Sequence, residues 1–477
     1  MRTAERCAIG VVVAVAAVVA YRAWTQSLTI DEARNYKLFI AEPLARMFSI
    51  FDTANHVLQS LLSKVSIGLF GLTEFTLRLP SVLGGLLYFV SVYRLSRYLF
   101  GAGWLLLLAV LALGLNPGVL DYMVAARGYG LGLGLMTWAL SELVFYFGDQ
   151  NEERLFRAGI GLGLSVTANL VFVYPAAALG TMVLAILALD GRRIWMGIEK
   201  FAGPGIVAAF LVLVLPMSHA QRGSFWFGVP TLDDFLGGLV SMSYFHNPRI
   251  WSLGRYVPRL GSWEAAIRVV VLPAFFLAAL AVCVSAARRW ARTRRWAELD
   301  RNDQAMLLVW GAMALMLAMV VAVRHVLGVL YPFTRMGIYL MPIMTLLVLG
   351  LIRRRYVGKL ALVFTLFSVL LFGVGFTPDY FTEWAGERHT KDVMRLIEAR
   401  HGGRPVRLGT SWPLEATCNF YRVRFRLHWM QEVASTGADG DFDYYYILRE
   451  DEALIGKRGL RTLFRDPLTG TTLAEKP

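Results

Sequence analysis

The stretch CAIGVVVAVAAVVAYRAWTQSLTIDE, residues 7–32, decides how this chain is to be read. From Cys7 to Trp24 it is almost wholly apolar, close to the ~20 residues a helix needs to cross a bilayer. Arg2 and Arg6 precede it, and positive residues stay on the cytoplasmic side of such a span. The chain is therefore expected to emerge on the outer face, where Asp31 and Glu32 follow within a few residues. Two carboxylates kept beside a bilayer point to chemistry at its edge. Tyr21, Arg22 and Trp24 stand where a signal peptide would carry a small-residue cleavage site, so the segment reads as an uncleaved anchor.

Composition extends that reading to the whole chain. Of 477 residues, 56% are hydrophobic and only 17% charged, and mean hydropathy is +0.52. These are values for an integral membrane protein, not a soluble globule. The net charge of +14 does not indicate nucleic acid, because the basic residues fall in short runs between apolar spans. Cys7 and Cys283 lie inside spans and Cys418 in a polar tail, so no intrachain disulfide framework is available. Cys418 is expected to react with a thiol label applied from outside.

Apolar runs recur near Cys7–Trp24, Leu79–Leu99, Trp104–Leu120, Gly128–Phe147, Ala158–Val171 and Phe172–Leu189. They continue near Phe201–Met217, Ala266–Ala287, Ala305–Val323, Met336–Ile352 and Leu360–Phe376, which predicts about eleven helices. Alternate threading puts Arg94 and Arg97, Arg154 and Arg157, Arg192 and Arg193, the run Arg288 to Arg295, and Arg353 to Arg355 all inside. Only a short polar break at Asn169 and Tyr174-Pro175 separates the fifth and sixth runs. One kinked span there would invert every later orientation and strand the arginine run outside.

The threading leaves four segments on the outer side. The first, residues 25–78, carries two amphipathic stretches, Glu32–Phe48 and Asn55–Phe70, expected to lie flat on the membrane. The others are the junction Asn116–Arg127, the loop 218–264, and the tail after Thr377. Residues 1–376 thus form the membrane part and 377–477 a small outer α/β domain, with a helix near Thr390–Ala399 and strands near Val406–Thr410 and Tyr444–Leu448.

Taken in order, Asp31-Glu32, Asn55-His56, the run Glu74 to Ser81 with Arg78 and Pro80, Asn116-Pro117, and Ala126-Arg127-Gly128-Tyr129 resemble the bacterial glycosyltransferase family 39-like proteins. These group with the protein O-mannosyltransferases and lipid A aminoarabinose transferases in the GT-C superfold. The resemblance covers the first ~150 residues well and the later spans only through their hydropathy. It implies a polytopic α-helical GT-C membrane enzyme in the inner (cytoplasmic) membrane. Its donor would be a polyprenyl-phosphate-linked sugar and its acceptor a lipid, glycan or protein on the outer side. It also implies that Asp31, the first carboxylate of the pair, is the base.

The chemistry asks for the same residue types. A hydroxyl acceptor needs a carboxylate to take its proton, a role that Asp31 or Glu32 can fill. One base and no covalent intermediate predict inversion. Cations must hold the departing phosphate. Arg127 stands where a span re-enters the membrane, and Arg335, before Tyr339-Leu340-Met341-Pro342, is similar to the family's late-helix arginine; Arg324 with His325 lies in the same loop. His56, Asn55 and Tyr129 are candidates to touch substrate. In the family it resembles, many members carry a glutamate where this chain has Ala125; either Asp121 replaces it or that function is absent. Each has a plainer reading. Thr29 to Glu32 resembles a helix cap, the arginines can snorkel, and Asp121 can pair with Arg127. Glu74 and Arg78, four apart, are expected to pair with each other. Phe225, Trp226, Phe227, Tyr244, Phe245, His246 and Trp251 in the third outer loop read as an interfacial belt. No metal-ligand set is visible, and a divalent cation is left open. The competing readings are a lipid or sugar transporter or flippase, which would carry ionisable groups at mid-membrane, and a scaffold that uses its tail to bind a partner.

Overall fold

The computed structural model describes residues 3–191, 194–221, 223–225, 227–245, 260–293 and 295–477. Arg2, Arg192, Arg193, Trp226, His246 and Trp251 lie outside them. Among the described residues, eight helices are long and apolar enough to cross a membrane: Thr3–Thr25, Glu74–Phe100, Tyr129–Asp149, Leu170–Leu189, Ile194–Ser218, Ser262–Thr293, Arg301–Leu327 and Gly358–Gly375. The chain is a multi-pass membrane protein.

The count differs from the expected eleven for local reasons. The third apolar run is a bent pair, Trp104–Gly114 and Pro117–Val124, turning by 63°. Asn116 caps the second helix by accepting from the Val119 N–H at 3.3 Å, and Pro117 cannot donate back to the first, so the helix cannot run straight through. Counted as one span, the pair makes nine. The fifth run is the 17-residue helix Glu152–Ala168. The tenth shrinks to Leu340–Leu351 because its start is taken up by the 3-10 turn Thr334–Gly337.

Ion pairs collect the basic clusters at one edge of the bundle. Arg97 meets Glu5 at 2.6 Å, and Arg94 and Arg154 share Glu142 at 3.2 and 3.1 Å. Arg289 and Arg354 share Asp303. Helix Glu152–Ala168 leaves that edge and helix Leu170–Leu189 returns to it. At its far end Asp190 accepts from the Trp296 N–H at 2.6 Å, and the Trp296 ring lies 5.1 Å from that of Phe147. The break at Asn169 therefore separates a helix that leaves that edge from one that returns to it.

At the opposite edge the first loop folds over the helix ends. Its first amphipathic stretch is not continuous but broken into Ile30–Asn35, a π turn at Tyr36–Ile40, and Leu44–Ser49. Pro43 stands at the last break. Helix Val57–Phe70 buries Gln59, Ser60, Ser63 and Ser66, and turns Val65, Leu69 and Phe70 outward. A polar inner face with an apolar outer one suits a helix bedded in lipid.

Arg78, at the start of the second span, does not pair with Glu74. It reaches across to Glu32, Nε to Oε1 at 2.8 Å and Nη2 to Oε2 at 2.7 Å, with both side chains fully buried. Glu74, four residues away, instead meets Lys391 at 3.1 Å and Arg424 at 2.5 Å in the tail. The helical spacing was right, but tertiary partners outcompete the local one.

The tail builds a four-stranded sheet ordered β1-β2-β4-β3, from β1 (Leu408–Thr410), β2 (Tyr444–Ile447), β3 (Arg461–Arg465) and β4 (Thr472–Glu475). β1 and β2 run parallel and the remaining pairs antiparallel. Helices Thr390–Arg400 and Glu415–Arg424 pack on it in a core that continues into Leu28, Ala33, Ile40, Leu77 and Ala126 of the membrane part. Cys418 is fully buried there, so the expected labelling at that thiol is blocked by packing.

Arg78→Met leaves the Glu32 carboxylate buried with backbone partners alone, and should cost about 3–5 kcal/mol of stability. Thermal unfolding of the purified protein in lipid checks this. The double substitution with Glu32→Gln should recover part of the loss, because it removes the uncompensated charge.

Candidate active site

Thr29 begins the site as the cap of helix Ile30–Asn35, in a full capping box with Glu32. Glu32 is the inward member of the acidic pair. Besides Arg78 it accepts from the N–H groups of Thr29 at 2.9 Å and Ala126 at 2.8 Å. Its lone pairs are thereby taken up in joining the first loop, the second span and the turn Ala126 to Tyr129, which leaves it a structural part. Asp31, one position earlier on the helix, points the other way and keeps its side chain 22% exposed.

The same Ala126 N–H bond sets the turn that carries Arg127. Gly128 follows with φ +69°, and a Cβ there would sit 2.0 Å from the Ala168 carbonyl oxygen, so only glycine fits. Asn169, at the break between two spans, donates to the Arg127 carbonyl at 3.3 Å. Arg127 Nε then lies 3.8 Å from Asp31 Oδ2, and Nη1 reaches the carbonyls of Asp31 at 3.4 Å and Ala54 at 3.5 Å.

Arg335 arrives from the 3-10 turn before helix Leu340–Leu351, with Nη2 3.2 Å from the same Asp31 oxygen. Its guanidinium is caged by the rings of Phe227, Phe333 and Trp384 at 5.5 to 5.9 Å. Nη1 is bound by Glu383, whose other oxygen accepts from the Tyr122 hydroxyl. Burial alone would raise the Asp31 pKa, but Arg127, Arg335 and the exposed Arg34 outweigh it and hold the carboxyl below the ordinary aspartate value. Glu387 is the reverse case. Burial first, then Asp31, Glu32 and Glu383, push its pKa well up against the stabilising Ile30 N–H.

His56 and Asn55 are both buried. The His56 ring lies 5.7 Å from that of Tyr129, which in turn packs 4.9 Å from Tyr122. Burial and the two arginines lower the histidine pKa strongly, leaving the ring neutral. Asp31 Oδ2, Arg127 Nε, His56 Nε2 and Asn55 Oδ1 are buried without a hydrogen-bond partner. A buried polar atom without a partner is one that a bound substrate can satisfy.

Asp31, Arg127, Arg335, His56 and Tyr129 are thus brought together; Asn55 precedes His56 and donates to the Met47 carbonyl at 3.0 Å, and two other candidates lie elsewhere. Asp121 does not pair with Arg127. It meets Arg22 at 2.6 Å and accepts from the Thr382 N–H at 2.8 Å, which ties the first span to the tail. Arg324 bonds the Gly328 carbonyl at its own helix end. Glu383, Tyr122 and Trp384 escaped the sequence reading, since no spacing links Glu383 to an arginine 48 positions earlier. Among the described residues no group of three or more His, Cys, Asp and Glu could hold a metal ion. Close by, a cavity of about 240 Å³ is lined by Leu236, Leu239, Phe276, Met313, Leu340 and Met344, and Arg268 also borders it.

Residues 57–219 match the family model of dolichyl-phosphate-mannose-protein mannosyltransferases. No curated protein sequence matches. Among solved structures the chain is similar to ArnT from Cupriavidus metallidurans, at 16% identity and TM-score 0.45 in the apo state. With undecaprenyl phosphate bound to that protein the values are 15% and 0.43. In both comparisons 98% of each chain is covered. The archaeal oligosaccharyltransferase AglB from Archaeoglobus fulgidus, in complex with an inhibitory peptide and a dolichol-phosphate, is 12% identical with TM-score 0.44, covering 98% of this chain and 74% of that one. Scores of this size mark a loose likeness of outline.

A folded state that keeps His56 neutral binds one proton fewer than the unfolded chain below the ordinary histidine pKa. Stability is then full above about pH 6.5 and falls as the pH drops further, by at most about 1.4 kcal/mol per pH unit. The difference in stability between wild type and His56→Gln, followed by thermal unfolding from pH 7 to about pH 5, should show this slope, since Glu387, with its pKa pushed up, contributes equally to both proteins and with the opposite sign.

Proposed function

We propose that this chain is a GT-C-type membrane glycosyltransferase that moves a sugar from a polyprenyl-phosphate donor to an acceptor at the outer face of the cytoplasmic membrane. The observation that carries this reading is the meeting of one carboxylate and two guanidiniums, with Arg335 and Arg127 at 3.2 and 3.8 Å from the same Asp31 oxygen. The family match over residues 57–219 supports the donor class. The apolar lining of the nearby cavity suits a polyprenyl chain entering sideways from the bilayer.

In this reading Arg127 and Arg335 take the charge that grows on the phosphate as the bond from its oxygen to the anomeric carbon breaks. Asp31 takes the acceptor's proton as the acceptor oxygen attacks that carbon from the opposite face, giving inversion in one displacement. In the free site Asp31 is a weak base because both arginines stabilise its charge. A bound phosphate turns the guanidiniums towards itself and returns basicity to Asp31 in the complex where it is needed. His56, neutral beside two cations, offers a hydrogen bond to the sugar or the phosphate. The tail, which packs on the first loop through one shared core, is positioned to select the acceptor.

Purified protein in lipid, given a panel of radiolabelled polyprenyl-phosphate sugars, should consume one of them. Asp31→Asn should lower transfer by about 10²–10⁴-fold. Full transfer by a folded Asp31→Asn protein would remove Asp31 from the role of base. Donor binding without any turnover would favour lipid transport, and flipping would be the next assay.

A further inference from the structure

Both terminal nitrogens of Arg335 already face an anion. Aromatic rings cover the guanidinium, with Nη2 turned towards Asp31 and Nη1 towards Glu383. Two carboxylates, Asp31 and Glu383, already face the one guanidinium of Arg335, and Arg127 is the second cation on Asp31. Glu32 is matched by the buried Arg78. A phosphodiester that approaches these terminal nitrogens competes with a carboxylate already on them, and in the proposed reaction Asp31 is the one needed beside the acceptor.

Glu383 is built to be the one displaced. Its segment is pinned on both sides, by Arg22 Nη2 to the Tyr380 carbonyl at 3.1 Å and by the Thr382 N–H to Asp121 at 2.8 Å. Trp384, the next residue, packs on Tyr122 at 5.6 Å. The Tyr122 hydroxyl holds the second carboxylate oxygen, so Glu383 keeps a partner after it lets Arg335 go. Resting on the function proposed above, we infer that Glu383 is a determinant of donor affinity, a tail-borne carboxylate that occupies on Arg335 the place the donor's phosphate takes.

The sign of its substitution separates this role from a structural one. A residue that merely positions Arg335 would weaken phosphate binding when removed, whereas a placeholder strengthens it. Full-length protein in phosphatidylcholine nanodiscs is titrated with a polyprenyl monophosphate, with folding checked by thermal melt. Glu383→Gln should bind about tenfold more tightly than the wild type, the scale of one charge-assisted hydrogen bond no longer competing. Glu383→Asp, one methylene shorter, should lie between the two and carries the test if the Gln variant fails to fold. Equal or weaker binding by the variants, with the wild type binding, overturns the placeholder and leaves the glycosyltransferase reading standing. If the wild type and Glu383→Gln both fail to bind the lipid phosphate, the donor assignment falls and this inference falls with it.

Discussion

The buried pair of Glu32 and Arg78 holds three separate pieces of chain at one point. Arg78 begins the second span, Glu32 sits on the first loop helix, and the same carboxylate accepts from Ala126 in the turn that bears Arg127. Arg78 also donates to the carbonyls of Gln26 and Ser27, at 2.8 Å each, where the first span ends. Two charges taken out of water cost several kcal/mol apiece, and such a pair persists only with near-complete hydrogen bonding. That requirement leaves little freedom in how the loop sits on the spans. Asp31 inherits its direction from it, because neighbouring positions on a helix face different ways.

The tail is a working part of the same arrangement. It reaches the membrane helices through Glu74 with Lys391 and Arg424, through Arg22 and Asp121 with the backbone of residues 380 and 382, and through Glu383 on Arg335. A single apolar core runs from its sheet into the first loop. Because the tail contributes an anion to the cluster, the charge balance around Arg335 depends on how the tail is seated.

Much of the site was legible in order along the chain. Asp31, Arg127 and Arg335 each fall near the end of an apolar run, where a side chain can be at the membrane and still meet polar partners, and His56 lies in the outer loop between two such runs. The Thr29 and Glu32 pattern announced a cap, and the structure adds that the glutamate's remaining valence goes to Arg78. What failed was pairing. Glu74 and Arg78 at helical spacing suggested each other, and Asp121 suggested Arg127, yet each found a partner from a distant segment with better burial and geometry. Local spacing is worth only a few tenths of a kcal/mol. A buried, hydrogen-bonded ion pair outweighs it.

By itself the sequence determined that the chain crosses a membrane many times, which edge gathers the arginine clusters, and that a carboxylate and two arginines end up near the opposite edge. Hydropathy and charge decide these, because a bilayer acts on each segment separately. Only the tertiary structure decided that Glu32 goes to Arg78 while Asp31 faces Arg127 and Arg335, that Asp121 belongs to Arg22, and that a tail glutamate shares Arg335 with Asp31. Those outcomes rest on which buried charges meet which partners across long sequence separations. Desolvation makes that choice over the whole fold at once, and no short stretch of residues records it.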